Sequence, residues 1–571
     1  MSRESMSGDV ALEAKQVPAG EPFIAFPAGE MGPIDEIGDS ANVTETAKEP
    51  TSFFCWQNFL VVLPSLLTAT LFGYNIGYVG PYTRIYSYAT NCQLYGAQTS
   101  CETLSGAKCK WMDATTVNAT STLGMVCGWE APRTTCFLSY DDEGSCGADH
   151  DCVWSYSAST CGNKVGYTSI QSGLFAGSLI MGTAVGSLLG GYLTKWLDYR
   201  KSFLLIGVMA SIGTILAHVA TGIFQYWLLF VSRIIFGFPM GWMSVTAPHY
   251  TDKFAPRRYQ KPLGTLFQVF TAFGEFVTAF FAICLGNTIA YDAERDAKVM
   301  GRLQGLTAPS TLMCILTLLV PLVTKDGYSV SNAKSTAPED DATAAKPAAK
   351  KYPISKMVGP LLIGVAMGCT LQLTGINANM NFAPTIMSNL GLDALVGNII
   401  VMAWNSVTAF VAIPLSKKFT MRTLFLFFTL LGSLCCLFLS GIPVYPGVTK
   451  VKLAKEVIGI IGIALFIASY EFGIGPCFFV LSVDVFPESF RPIGSSFTVC
   501  VMFIFNLVIN ICYPIATEGI SGGPSGNQDK GQAVAFMFFG CIGIVTVVIE
   551  YFFLHPWEEQ DADDLNEPGT C

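Results

Sequence analysis

Charge is what this sequence has least of. Only 13% of its 571 residues are Asp, Glu, Lys or Arg, against about 25% in soluble proteins. Hydrophobic residues make up 51%, and the mean hydropathy is +0.46. Such a chain cannot cover itself with polar surface, which excludes a soluble enzyme and requires lipid as solvent. Basic excess is also missing: the net charge of -9 disfavours a nucleic-acid partner. The Gly-x-x-x-x-Gly-Lys-Ser/Thr loop of nucleotide-driven proteins is absent, and no cofactor is expected. The first 50 residues lack any apolar run and hold ten acids and three bases. They read as a disordered cytosolic tail, not a signal peptide.

What is present is a series of long apolar runs. A membrane helix needs about 20 such residues. Twelve runs qualify, near 56-80, 167-193, 202-222, 226-247, 263-286, 304-323, 357-384, 394-415, 423-443, 456-482, 495-517 and 533-554. Loops predicted inside carry Lys195, Arg200, Lys201, Lys253, Arg257, Arg258, Lys417, Lys418 and Arg422, whereas the outer ones carry fewer bases. The reading is an all-α membrane protein of the plasma membrane with both termini cytosolic. Its parts are a tail at 1-50, a six-helix bundle at 51-324 with an extracellular loop at 81-166, a cytosolic linker at 325-355, a second six-helix bundle at 356-554 and an acidic tail at 555-571.

The outer loop holds Cys92, Cys101, Cys109, Cys127, Cys136, Cys146, Cys152 and Cys161. An even set outside the cell favours four disulfides, with pairing left open. Zinc is the alternative, but paired Cys-x-x-Cys spacing is missing and His150 is the sole histidine nearby. Asn118-Ala119-Thr120 is a glycosylation sequon; Asn42-Val43-Thr44 is another, which the topology leaves unused.

The two halves echo each other. Arg200-Lys201 after the second run answers Arg422 after the eighth, and Pro256-Arg257-Arg258 after the fourth answers Pro487 and Arg491 after the tenth. Transporters built from repeats hold substrate near the midplane between halves and expose it alternately. Polar residues within spans are costly and mark function. The seventh run is richest, reading Gln372-Leu373-Thr374-Gly375-Ile376-Asn377-Ala378-Asn379-Met380-Asn381. Helical spacing predicts that Gln372 shares a face with Asn379, and Asn377 with Asn381. Gln268, Glu275, Asn405, Glu471, Asn506 and Asn510 add polar groups in other runs, and Asn75 sits in the first. Amides both donate and accept, which suits a neutral polyhydroxy ligand. Phe382, Phe479 and Phe503 offer aromatic walls beside them.

These residues resemble the sugar-porter family of the major facilitator superfamily, and within it the hexose transporters of kinetoplastid protozoa. The resemblance rests on Gln372-Leu373-Thr374-Gly375-Ile376-Asn377, on Ser232-Arg233 with Pro248-His249-Tyr250, on Leu263-Gly264-Thr265-Leu266-Phe267-Gln268, and on Asp484 with Arg491-Pro492. It implies the major facilitator fold and places Gln268, Gln372, Asn377 and Asn405 at sugar-hydroxyl positions. Phe479 stands where the family often has Trp. Asn381 replaces a family Tyr, and with Asn506 it completes the expected substrate set. The resemblance also implies that Arg200, Arg233, Arg258, Glu471, Asp484 and Arg491 match or lie near cytoplasmic charge networks that latch the outward-facing state. Leu371 departs from the family's first Gln, and Lys253 from its Glu. Proton-coupled members carry Asp where this chain has Asn75, which cannot titrate. The expectation is a facilitative carrier of glucose and related hexoses that is not an enzyme and has no obligate protein partner. A proton-coupled hexose or polyol symporter and a non-transporting sugar sensor are the alternatives.

Overall fold

In the computed structural model, residues 56–557 are described, apart from 90, 95, 104–108, 119–121, 132, 150–151, 156–159, 257–258, 287–298, 325–353, 382, 384–385, 388–393, 488–489 and 524–525. The expectations for the tail at 1-50, for Asn42, for Arg258 and Phe382, for nearly all of the linker and for most of the acidic tail lie outside the described residues.

Eleven helices among the described residues are long and apolar enough to cross a membrane. They supply twelve crossings because one counts twice. We name the main segments α1 (Trp56–Gly77), α2 (Ser169–Gly222), α3 (Tyr226–Phe254), α4 (Leu266–Gly286), α5 (Val299–Thr317), α6 (Ile354–Leu373), α7 (Ile376–Asn381), α8 (Ala394–Lys418), α9 (Met421–Cys435), α10 (Lys452–Ser469), α11 (Gly475–Asp484), α12 (Arg491–Ser521) and α13 (Gln528–Phe553). Helix α2 doubles back at Asp198, whose φ of 64° leaves the helical region. With ψ at 165° the bend lies in a strained region that glycine alone adopts readily, and Ser202 Oγ bonds the Asp198 carbonyl at 2.6 Å. The pair α10 and α11 forms one crossing, joined by a π-helical turn at Tyr470–Ile474.

Lipid gives helices no hydrophobic reason to associate, so close backbone approach must hold them. The α2–α3 contact depends on this. A methyl group at Gly186 would stand 1.9 Å from the Phe238 carbonyl oxygen, and one at Gly241 would stand 1.9 Å from that of Thr183. Trp242 Nε1 then reaches Thr194 Oγ1 at 2.9 Å across the same seam. The first six crossings meet the last six along two seams. In one, α2 lies against α12, and the Gly191 amide donates to Ser496 Oγ at 3.1 Å. In the other, Val269 and Ala272 of α4 pack on Ala409 of α8.

The loop between α1 and α2 is two small disulfide units. In the first, β1 (Cys109–Asp113) pairs antiparallel with β2 (Met125–Trp129), setting Trp111 opposite Cys127. In the second, β3 (Cys152–Ser155) pairs with β4 (Thr160–Asn163), setting Trp154 opposite Cys161. The bonds are Cys92–Cys109, Cys101–Cys127, Cys136–Cys152 and Cys146–Cys161. Each unit therefore joins its first cysteine to its third and its second to its fourth. Zinc is displaced as a reading, since all eight sulfurs are spent in bonds. Short helices before the strands are capped by acids: Asp113 accepts from Thr115, and Asp142 from Ser145. These hydrogen bonds hold both carboxyls below the usual carboxylate range. Asn118 ends the helix Ala114–Val117.

Separate units make a separable prediction. Replacing Cys101 and Cys127 by Ser should destabilise the first unit by about 2–4 kcal/mol. The bonds of the second should survive, as read by peptide masses after non-reducing digestion. Scrambling of Cys136, Cys146, Cys152 and Cys161 in that variant would contradict independence.

At the membrane end the loop is fastened by aromatic rings. Tyr86 stacks on Tyr167 at 4.4 Å, and Tyr167 meets Tyr226 edge-on at 5.0 Å. Tyr78, Tyr82 and Phe175 continue the cluster into the spans.

Candidate functional site

The seventh crossing is not one helix. The chain leaves α6 at Leu373 and re-enters α7 at Ile376, with Gly375 between them at a φ of +95°. Only glycine adopts this without strain. The break resets the helical phase, so the predicted face shared by Gln372 and Asn379 does not form. Instead Asn377 Nδ2 donates to Gln372 Oε1, and Asn379 Nδ2 turns back to the Gly375 carbonyl at 3.0 Å. Gln372 Nε2 in turn points to Met502 Sδ on α12 at 2.9 Å.

Around this break lies a central cavity lined by Gln268, Thr271, Glu275, Gln372, Asn377, Asn405, Tyr470, Glu471, Phe479 and Asn506, with Phe72, Ile76, Leu371, Ile376, Met380, Met502 and Phe503 as apolar walls. The polar residues come from both halves of the chain. Gln268 Nε2 donates to Glu471 Oε1 at 3.1 Å, and Asn405 Nδ2 to Glu275 Oε2 at 3.0 Å. Asn510 Nδ2 donates to Asn506 Oδ1 at 2.5 Å. Gln268 and Glu275 sit two turns apart on α4 and share the cavity face. Glu471 falls on the π-helical turn, a distortion that often marks functional positions. The cavity volume is about 40 Å³, room for about three waters at 10–15 Å³ each. Any larger ligand needs its walls to part.

A second cavity of about 260 Å³ lies at the end of the bundle away from the disulfides. Pro248, Asp252, Gln260, Lys261, Gly264, Val480, Val483, Asp484, Arg491 and Pro556 line it, together with Phe479. Phe479 is thus a wall common to both cavities. Its ring meets Phe267 edge-on at 4.9 Å. Beside this cavity, His249 Nε2 and Ser495 Oγ are 2.6 Å apart, tying α3 to α12.

The residues expected as one charge network are dispersed. Asp484 and Arg491 do border a common cavity, and Arg491 Nε donates to the Phe486 carbonyl at 3.1 Å. Arg200 is exposed just past the Asp198 bend. Arg233 is elsewhere: buried at the disulfide end, it donates to the Asn75 carbonyl at 3.2 Å and lies 4.8 Å from the Phe175 ring. It neighbours Tyr78 at 5.4 Å, so its charge is met by a carbonyl and two rings. Glu471 belongs to the central cavity. Of the expected substrate set, Gln268, Gln372, Asn377, Asn405, Phe479 and Asn506 border that cavity, and Asn381 ends α7. Glu275 stands among the polar span residues read from the sequence but outside the expected substrate set, and Thr271 and Tyr470 stand in neither. The seven-residue step from Gln268 was the signal for Glu275.

Asn75 does not face the cavity. Its Nδ2 donates to the Leu71 carbonyl at 2.9 Å and to Ser310 Oγ at 2.9 Å.

Comparison with known proteins agrees with this architecture. Residues 61–558 match the family model described as sugar (and other) transporter. The chain is 64% identical over 519 residues to membrane transporter D2 of Leishmania donovani, covering 90% of this chain and 93% of that one. It is 39% identical over 537 residues to glucose transporter 2A of Trypanosoma brucei brucei, covering 94% of each. Among solved structures, the major facilitator superfamily proton:xylose symporter bound to 6-bromo-6-deoxy-D-glucose aligns with a TM-score of 0.60 at 16% identity, over 88% of this chain and 96% of that one. At that identity the likeness is one of fold.

Proposed function

Because the chain belongs to the family of sugar (and other) transporters, a multi-pass membrane family of carriers and not enzymes, we propose that it is a facilitative hexose carrier of the plasma membrane. The observation that supports this most is the central ring of amides, Gln268, Gln372, Asn377, Asn405 and Asn506, contributed by both halves. Amides match hydroxyls as donor and acceptor alike, and Phe479 and Phe503 offer faces for the apolar side of a sugar ring. The relation to glucose transporter 2A points to glucose among the hexoses. The disulfide end faces out and both termini face the cytosol, as reactive thiols persist inside and disulfides outside. Asn118 is then open to glycosylation.

Transport proceeds by alternating access. Sugar enters from the disulfide end and engages Gln372 and Asn377. The α6–α7 break lets the short helix tilt over it. Phe479 then yields toward the larger cavity bordered by Asp484 and Arg491. Asn75 spends its amide on Leu71 and Ser310, which leaves Arg233 beside a group that cannot carry a proton and supports uniport. The second reading, proton-coupled symport, is favoured by two carboxyls in the cavity, Glu275 and Glu471.

The test is uptake of radiolabelled glucose by liposomes holding the purified full chain. Equilibration without accumulation is expected, with or without an imposed proton gradient. Accumulation that collapses with the gradient supports symport, and no uptake overturns the carrier reading.

A further inference from the structure

In the carrier reading, the end of the bundle away from the disulfides must part for sugar to leave there, so whatever holds it shut controls the cycle. Of the arginines expected to latch the two halves, Arg233 lies at the disulfide end and Arg200 is exposed. Two uncharged side chains of α12 do cross the seam. Ser495 and Ser496 sit in the second turn of that helix and are both buried. As neighbours on a helix they point about 100° apart, so one meets α3 and the other α2. Ser495 Oγ lies 2.6 Å from His249 Nε2, and Ser496 Oγ accepts from the Gly191 amide at 3.1 Å. Helices α2 and α3 are themselves tied at this level by Thr194 and Thr246, whose hydroxyls are 2.6 Å apart. The serines thus wedge into a groove with stiff walls. The fit is close, since a methyl group at Gly191 would stand 2.4 Å from Ser496 Oγ and 2.5 Å from the Pro492 carbonyl oxygen. Toward the disulfide end α2 and α12 meet by apolar packing, with Leu507 lying over Gly177.

We propose that this two-serine wedge is the latch that holds the cytoplasmic face shut, with Ser495, Ser496 and His249 as positioning residues that do not touch sugar. The inference rests on the carrier reading and adds the contacts that time its alternation. Helix α12 links the latch to the site. Met502 and Asn506 of the central cavity follow Ser495 by seven and eleven residues, about two and three turns along one face. When the wedge leaves its groove, the helix swings and takes the cavity wall with it. A hydrogen bond made in only one of two states biases their equilibrium by its own net worth. Losing one therefore favours the inward-open state by about three- to tenfold.

The experiment uses right-side-out membrane vesicles holding the full chain, with labelled glucose and no proton gradient. Maximal exit and maximal entry are each measured into a glucose-free far side. Exit requires the empty carrier to turn from outward to inward, and entry requires the reverse, so loss of the latch raises the ratio of exit to entry. The number of working carriers cancels in that ratio, and a variant that is merely poorly folded leaves it unchanged. Ser495→Ala, Ser496→Ala and His249→Ala are each expected to raise the ratio about three- to tenfold. Gly191→Ala is expected to raise it too, although it adds a methyl group where Ser496→Ala removes a hydroxyl. Ser495→Ala/His249→Ala should match the single variants, because the pair is one contact. His249→Gln, whose amide can still meet the serine, should lie closer to wild type than His249→Ala. A wild-type ratio in both Ser495→Ala and Ser496→Ala, with glucose still carried, overturns the latch and leaves the carrier reading intact. A double variant whose change is the product of the two singles overturns the pairing of His249 with Ser495. A wild-type chain that moves no glucose in either direction overturns the carrier reading itself.

Discussion

Gly375→Ala is expected to reduce sugar uptake about a hundredfold or more, with the protein still inserted in the membrane. Two costs coincide at this position. The φ of +95° is strained for any residue with a Cβ, and that Cβ would lie 2.2 Å from Cδ2 of the Phe539 ring on α13. The left-handed backbone costs roughly 1–2 kcal/mol, and forcing a methyl into a packed wall costs about 1–3 kcal/mol more. Relief requires α7 to shift, which parts Asn377 from Gln372. Initial uptake rates, normalised to protein in the membrane, provide the check. The double variant Gly375→Ala/Phe539→Ala removes the clash but not the strain, so it should recover part of the loss. Uptake within twofold of wild type in the single variant would remove the break from the mechanism.

Gln372→Ala is expected to raise the glucose concentration for half-maximal uptake by about ten- to hundredfold. Gln372 is the hinge of a short chain of polar contacts, receiving Asn377 and giving to Met502. Its loss removes a proposed ligand to sugar and frees Asn377 from its orientation. Asn377→Ala should therefore weaken binding by a similar factor, and the double variant by less than the product, because the two act as one unit. Concentration dependence of uptake decides the matter. Unchanged half-saturation in both single variants would take the seventh crossing out of the sugar site.

The crossings and their polar content are legible in the sequence because lipid allows few solutions for an apolar run. The step from Gln268 to Glu275 is legible for the same reason, as an unbroken helix preserves its phase. Where the backbone departs from the helix, legibility stops. The pairing of Gln372 with Asn377 depends on one left-handed residue, and the place of Glu471 on a π-helical turn. Arg233 was misplaced for another cause: a motif reports what type of residue is present, not which end of a span its side chain reaches. The disulfide pairs are set neither by spacing nor by strand register, since Cys109 lies opposite Trp129 and Cys127 opposite Trp111 while their sulfurs bond Cys92 and Cys101 in the segments before the strands.

The stacked rings of Tyr86 and Tyr167 bear on the history of the chain as well as its shape. They bring the two ends of the long loop to one point, with a Cβ at Gly166 only 3.0 Å from that of Ser87. A segment whose ends touch can be inserted into, or excised from, a scaffold without moving it. The paired four-cysteine units are thus a detachable cassette hung from the carrier. Joining Ser87 to Gly166 through a few glycines should leave a chain whose twelve crossings still assemble.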